Sequence, residues 1–286
     1  MNLDDYCPPP GVYENVPFKQ YLGWNAMDKT ALWEMRKSPA HFHWCQEHPK
    51  APTAAMEKGT LLDTALFDGW AKIAEIVAVR PEGNGNLKIV KEFMAEAEMT
   101  GKIVVTQADL ETLKWRVRNI WDHREAAEIL SRCAFQVSFV WDDPDTGVRC
   151  KGRADLALKG GPEADDLKHA HNAEPGSFRR DVAKYGYQVQ AAMYLDGLSC
   201  ATGHTYDTFR FVLGEDVPPY CANVLPLGSA SIAAGRASYS RWLYEYKRCV
   251  ETGLWPGYDY HQEPIDMPLW ALMEEGIDPR VGQYEA

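Results

Sequence analysis

The strongest constraint on the fold of this chain is a change of hydrophobic period near residue 133. Upstream, Leu110, Leu113, Val117, Ile120 and Trp121 share one face at helical spacing and predict a helix over about 107–131. Downstream, residues 134–142 (AFQVSFVWD) alternate as a strand does. Asp143-Pro144-Asp145-Thr146-Gly147 is a turn, and residues 148–158 (VRCKGRADLAL) read as a second strand. Gly160-Gly161-Pro162 turns again, into a short third strand at 163–169 (EADDLKH). A hairpin of this kind exposes apolar faces that only helices or further strands can cover.

The rest of the chain supplies both. Residues 1–25 read as an irregular arm, with Tyr6, Tyr13, Phe18 and Tyr21 available to pin it down. Asp28 is a predicted N-cap for the helix KTALWEMRKS, and Ser38-Pro39 ends it and starts the next, AHFHWCQEH. Residues 53–69 predict a helix closed by Gly69, residues 80–88 a flexible loop and residues 88–99 a further helix. After the three strands come a helix over about 178–198, strands at 204–213 and 218–226, and a long helix over about 228–252. An aromatic-rich tail occupies residues 254–286. This order predicts one α/β domain over residues 1–286, with an N-terminal helical segment and an antiparallel hairpin entering a mixed central sheet flanked by helices.

Composition excludes some classes. No apolar run approaches the ~20 residues of a membrane span, so no membrane partner is expected. The start has neither the basic nor the apolar region of a secretory signal. The seven cysteines are scattered without a CxxC pair, which argues against a zinc ribbon or an iron–sulfur cluster and fits a reducing, cytoplasmic compartment. A net charge of -11 argues against a protein that coats DNA non-specifically, but not against a local basic channel on an acidic enzyme.

The chemistry concentrates in residues 152–168. Asp155 lies in the second predicted strand, and Asp166-Leu167-Lys168 in the third. Alternation puts Asp166 and Lys168 on one face, and a neighbouring strand could bring Asp155 beside them. Two carboxylates and a lysine suit a hard cation, Mg²⁺ or Mn²⁺, which prefers oxygen ligands. Such a cation would polarise a phosphodiester and acidify its bound water, while the lysine orients that water or neutralises charge on the phosphate. Alone, an acidic residue two before a lysine is a weak signal, and it recurs at Glu245-Tyr246-Lys247 in a predicted helix. The Gly152-Arg153-Ala154-Asp155 strand upstream is what sets the first instance apart.

Around this core the sequence resembles the PD-(D/E)xK nuclease superfamily, and within it the RecE-type (exodeoxyribonuclease VIII-like) exonuclease domain of phages and prophages. Ser38-Pro39-Ala40-His41-Phe42 is similar to that family's SPAHY segment, and residues 56–63 (MEKGTLLD) to AMxxGTLIH. Gly152-Arg153-Ala154-Asp155 resembles GRPD, Asp166-Leu167-Lys168 resembles DLKT, and residues 185–197 (YGYQVQAAMYLDG) resemble YxYHVQAAFYxDG. Trp255-Pro256-Gly257-Tyr258 and Pro268-Leu269-Trp270 are similar to its closing signature. The resemblance implies a restriction-endonuclease-like core and Mg²⁺-dependent hydrolysis of duplex DNA from an end, 5′ to 3′. It also implies a single-strand annealing partner and a homo-oligomeric ring. It places Gln190 and Tyr194, i and i+4 on one helix face, at the active-site wall, although Tyr194 could equally pack on the sheet.

Three positions depart from the pattern. Asp63 replaces the family's metal-side histidine, His169 its threonine after the lysine, and Gln188 its histidine before Val189. The resemblance makes Asp63 a third metal ligand; the alternative is an aspartate on a helix surface. Arg149, Lys151 and Arg153 share a strand face with Asp155 and could guide phosphates; alternating charge is also the mark of a solvated face. Arg179, Arg180 and Lys184 open the following helix as a second candidate phosphate contact. The expected activity is that of a DNA exonuclease for recombination or end resection. Its rivals are a DNA-binding or assembly module with a decayed site, an endonuclease, and an iron–sulfur nuclease.

Overall fold

The computed structural model describes residues 6–48, 54–84, 87–258 and 265–278, and leaves the side chains of residues 54–58 undescribed. Part of the arm, of the 80–88 loop and of the tail therefore lies outside the described residues, as do the Met56, Glu57 and Lys58 side chains of the second motif.

In chain order the elements begin with β1 (Gly11–Tyr13), α1 (Phe18–Leu22), α2 (Lys29–Glu34), α3 (Pro39–Glu47), α4 (Ala54–Phe67) and α5 (Trp70–Ile76). Next come β2 (Val77–Val79), α6 (Lys88–Thr100), β3 (Ile103–Val105), α7 (Gln107–Asp122) and α8 (Arg124–Arg132). The hairpin region is β4 (Ala134–Asp142), β5 (Arg149–Ala157) and β6 (Glu163–Ala170). The chain continues through α9 (Pro175–Tyr185), α10 (Tyr187–Thr202), β7 (Thr208–Glu215), β8 (Ala222–Pro226), α11 (Ser229–Thr252) and α12 (Leu269–Glu274). Six strands form one mixed sheet in the order β1-β4-β5-β6-β7-β8, with β6 and β7 parallel and the other pairs antiparallel. Helices cover both faces. Leu32, Phe42, Val189, Met193, Leu195 and Leu243 pack with Phe139, Trp141 and Phe211 on one side. Leu62, Leu66, Val117, Ile120 and Ile129 pack with Leu156, Leu167 and Val212 on the other.

Local signals set several boundaries. The Asp28 side chain accepts the Ala31 N–H at 2.9 Å, and Pro39 is the first residue of α3. Two expected helices are each broken in two. The run over 107–131 stops at His123, whose Nδ1 instead accepts the Ala126 N–H and caps α8. The run over 178–198 turns at Gly186, φ +68°, where an added Cβ would lie 2.3 Å from the Trp33 ring. The arm is not wholly irregular, since it contributes edge strand β1 and helix α1. The short parallel pair β2 and β3 is a further addition to the expected elements.

The sheet forks where the site will lie. β4 and β5 stay paired from Asp142↔Arg149 to Ala134↔Ala157, and β6 follows β7 for its whole length. Between β5 and β6, however, only Leu156↔Asp165 and Ala157↔Ala164 pair. Before Leu156 the two strands separate, and the gap is bridged by a side chain: Asp155 Oδ2 accepts the Leu167 N–H at 3.0 Å.

Candidate active site

Asp166 and Lys168 lie on β6 just inside the fork, and Asp155 stands opposite on β5. Asp166 is 1% exposed, so both its oxygens need partners from the protein or from a ligand. Oδ1 accepts from Gln190 Nε2 at 2.6 Å, across from α10. Oδ2 is ion-paired with Lys168 Nζ, yet it is buried and accepts no well-aligned hydrogen bond. Burial works against the Lys168 charge, but Asp166 and Asp155 outweigh it and hold the ammonium above the usual lysine range. The same ammonium lies 4.8 Å from the centre of the Tyr187 ring.

The carboxylates repel one another. Burial, then the charges of Asp166 and Asp63, push Asp155 well above the usual carboxylate range. Asp63 comes from α4 on the other wall, where burial, then Asp166, push it up to about 7, against the pull of Lys168 and Arg116. Among the described residues no three His, Cys, Asp or Glu side chains are drawn together as a ready-made metal cage. The donor set nevertheless fits a hard cation that keeps waters. Oxygen donors converge, one buried carboxylate oxygen is held by the Lys168 charge without a well-aligned hydrogen bond, and mutual repulsion would be relieved by positive charge between them.

Each residue singled out in the sequence has a definite place. Asp155, Asp166, Lys168 and Gln190 are brought together. Tyr194 packs edge-on against Phe139 at 5.5 Å and against Phe209 at 6.4 Å, and burial raises its hydroxyl pKa. Gly152 and Gly197 are packing residues: an added Cβ would lie 2.3 Å and 2.7 Å from the Phe139 ring.

The basic row on β5 is already engaged within the protein. Arg149 pairs with Asp142 and donates to the Pro8 carbonyl at 3.2 Å. Lys151, only 4% exposed, donates to the carbonyls of Tyr21, Leu22 and Trp24 at 3.2, 3.2 and 2.8 Å, at the C-terminal end of α1. Arg153 donates to Val16 O at 2.8 Å, Ser138 Oγ at 2.9 Å and Gln136 Oε1 at 2.7 Å. These three cations fasten the N-terminal arm to the sheet, so the stripe expected to guide phosphates has internal partners in this structure. Arg179, Arg180 and Lys184 on α9 are exposed.

Three residues near the site were not picked out from the sequence. Lys29 at the start of α2 donates to the Tyr185 carbonyl at 2.7 Å, and burial, then Lys168, lower it to about 8. Tyr187 stands between the two lysines, 6.0 Å from Lys29 Nζ. Arg116, 5% exposed, reaches in from α7 to His169 Nδ1 at 2.9 Å and donates to the Gly214 carbonyl at 3.1 Å. Burial, then Arg116 and Lys168, lower His169 to about 4, so the ring is neutral and its Nδ1 accepts. Arg116 had a visible signal, a charge on the apolar face of Leu113, Val117 and Ile120; Lys29 had none.

Comparison with known proteins agrees with this fold. A family model described as a PDDEXK-like domain of unknown function (DUF3799) matches residues 29–265. The structure is similar to that of a candidate exonuclease from Eubacterium rectale, with a TM-score of 0.59 and 12% identity over 92% of this chain and 98% of that one. Weaker likenesses are to an alkaline exonuclease from Laribacter hongkongensis (TM-score 0.27, 17% identity, 64% of this chain and 88% of that one) and a phage-related exonuclease from Haemophilus somnus (0.30, 10%, 67% and 95%). No curated protein matches the chain.

Proposed function

We propose that this chain, which belongs to the PDDEXK-like family DUF3799, is a metal-dependent deoxyribonuclease that hydrolyses linear duplex DNA from its ends, 5′ to 3′. The observation that carries the reading is the cluster of Asp155, Asp166, Lys168 and Gln190 at the fork between β5 and β6. Asp155 and Asp166 would hold Mg²⁺ or Mn²⁺, with Asp63 as a candidate third oxygen donor. Bound there, the cation supplies Lewis-acid polarisation of the scissile phosphate.

The chain's own residues do the rest. The Leu167 N–H and Gln190 Nε2 each fix one carboxylate, so the cation-facing oxygens are oriented before substrate arrives. Lys168, kept protonated by its two carboxylate neighbours, orients the attacking water and neutralises charge developing on the phosphate. Asp63 contributes negative charge from α4, and Arg116 moderates it. The exposed Arg179, Arg180 and Lys184 are the remaining cations proposed to contact DNA phosphates. A ring of copies and a single-strand annealing partner belong to the same reading; light scattering tests the first.

The deciding experiment is digestion of end-labelled linear duplex with Mg²⁺, set beside closed circular DNA. Release of nucleotides from the linear duplex alone supports the exonuclease. Cutting of the circle makes it an endonuclease, and no hydrolysis of either leaves a DNA-binding module.

A further inference from the structure

Across β6 from Lys168 lies a second buried cation. Arg116, 5% exposed, reaches from α7 to the cross-strand pair that follows Lys168. Its Nη2 donates to His169 Nδ1 at 2.9 Å and to the Gly214 carbonyl at 3.1 Å, and these two residues are register partners on β6 and β7. Gly214 lets α7 come this close, since an added Cβ would lie 3.0 Å from Ile120 Cδ1. Helix α4 closes the other side. A Cβ added at Gly59 would lie 3.8 Å from His169 Nε2, and Asp63 follows Gly59 by about one helical turn. Arg116 Nε is buried and has no hydrogen-bond partner among the described residues.

Neither hydrogen bond asks for a charge. The His169 ring is neutral and so is a peptide carbonyl, whereas burying a guanidinium with an open donor is costly. Carboxylates explain the charge. Those acting on Arg116 are Asp216 first and Asp63 second, with the Tyr220 hydroxyl after them. The Asp216 side chain is 50% exposed and pairs with His171, so water screens it. Asp63 is half-buried, repelled by Asp166 and drawn by Lys168 and Arg116. Lys168 is already ion-paired with Asp166, which leaves Arg116 to answer Asp63.

We propose that Arg116 is a positioning residue, the fixed counter-charge of Asp63, and that it loosens the hold of the site on its divalent cation. The affinity of an oxygen-ligand site rises with the number of charged ligands, so three carboxylates set against Lys168 alone would hold a cation tightly. With the guanidinium behind them the carboxylates keep their number and the cation stays exchangeable. The cation in this account comes from the proposed function, whereas the pairing of Arg116 with Asp63 does not depend on it.

The test is calorimetric titration of the full chain with Mn²⁺ at about pH 8 without DNA, set beside the Tm of the cation-free protein. Arg116→Met removes the charge and keeps an unbranched chain, and Arg116→Lys keeps the charge. Arg116→Met should bind Mn²⁺ roughly threefold to tenfold tighter, because a divalent cation feels the lost charge twice as strongly as a competing proton does. Arg116→Lys should stay within about twofold of the wild type. A clamp of purely structural purpose predicts the opposite sign, since a loosened site binds its cation less well. In the cation-free protein, Arg116→Met should lower Tm less in an Asp63→Asn background than in the wild type. An Arg116→Met chain that folds only with Asp63→Asn supports the counter-charge, and one that folds in neither background overturns it. Weaker Mn²⁺ binding by Arg116→Met, or equal Tm losses in both backgrounds, would also overturn it. A wild type that takes up no Mn²⁺, with unequal Tm losses, would sink the metal-dependent function and leave Arg116 as the counter-charge of Asp63.

Discussion

At the scale of single residues, the proposed mechanism separates groups that hold from groups that react. Lys168 is the one expected to act on the reacting phosphate, since its charge is maintained by Asp166 and Asp155 and not by solvent. Lys168→Ala should lower the hydrolysis rate by about a hundredfold or more, the usual loss for one electrostatic contact in a dry site. Binding to DNA in EDTA should persist, and near wild-type turnover would remove Lys168 from the mechanism. Gln190 donates to the Asp166 carboxylate at 2.6 Å and positions it. In Gln190→Leu, Asp166 loses that partner, so half-maximal activity should need about tenfold more Mg²⁺, while kcat at saturating Mg²⁺ falls little. A change confined to kcat would argue instead that Gln190 contacts the substrate.

At the scale of elements, close approaches decide which substitutions the scaffold tolerates. At Gly235 on α11 an added Cβ would lie 2.0 Å from the Gln188 carbonyl oxygen on α10, and neither backbone can yield cheaply. Gly235→Ala should destabilise by about 1–3 kcal/mol or more through overpacking. It should also disturb Gln190 two residues on, so Tm and Mg²⁺ requirement should shift together. Lys151 is the element-scale pin of the arm. Lys151→Met leaves three carbonyls near the end of α1 without their donor, and proteolysis between residues 6 and 24 should become fast while the sheet stays intact. Equal resistance in the variant would mean that Tyr21 and Trp24 hold the arm by packing alone. These pairs also mark the limit of sequence reading. The strand period, the Asp28 and Pro39 helix starts and the Asp166–Lys168 alternation are local, and they were legible. The alternation of Arg149, Lys151 and Arg153 is equally legible, but the arm carbonyls they hold lie more than a hundred residues upstream, so the same pattern also reads as a phosphate stripe. Gly186 looked tolerable inside a helix because nothing nearby in sequence announces Trp33. Strands β2 and β3, three residues each, are too short to show a period.

At the scale of the whole molecule, the repelling carboxylates tie folding to pH and, in the proposed function, to the cation. Asp63 titrates near 3.8 without its environment and is raised to about 7 in the fold, so the folded chain keeps a proton that the unfolded chain gives up. The favourable contribution is therefore complete below 3.8 and is lost as pH rises to about 7, where the cluster must be fully charged. His169 works in the opposite sense. Lowered from 6.5 to about 4, it costs stability in acid, and that cost fades as pH rises to 6.5. The two partly cancel in raw Tm, so the informative quantity is the rise in Tm on adding Mg²⁺. That rise should be small near about pH 5 and grow toward about pH 8, because the cation competes with protons for the carboxylates. Asp63→Asn removes a charge and keeps the shape. It should raise the cation-free Tm above pH 7, shrink the Mg²⁺-induced rise and flatten its pH dependence. Asp63→His, which puts back the residue of the resembling family, should retain more activity than Asp63→Ala. A Mg²⁺-induced rise that is the same at both pH values would show that the carboxylates do not take up the cation. An Asp63→Asn protein that follows the wild-type curve would place Asp63 outside the cluster.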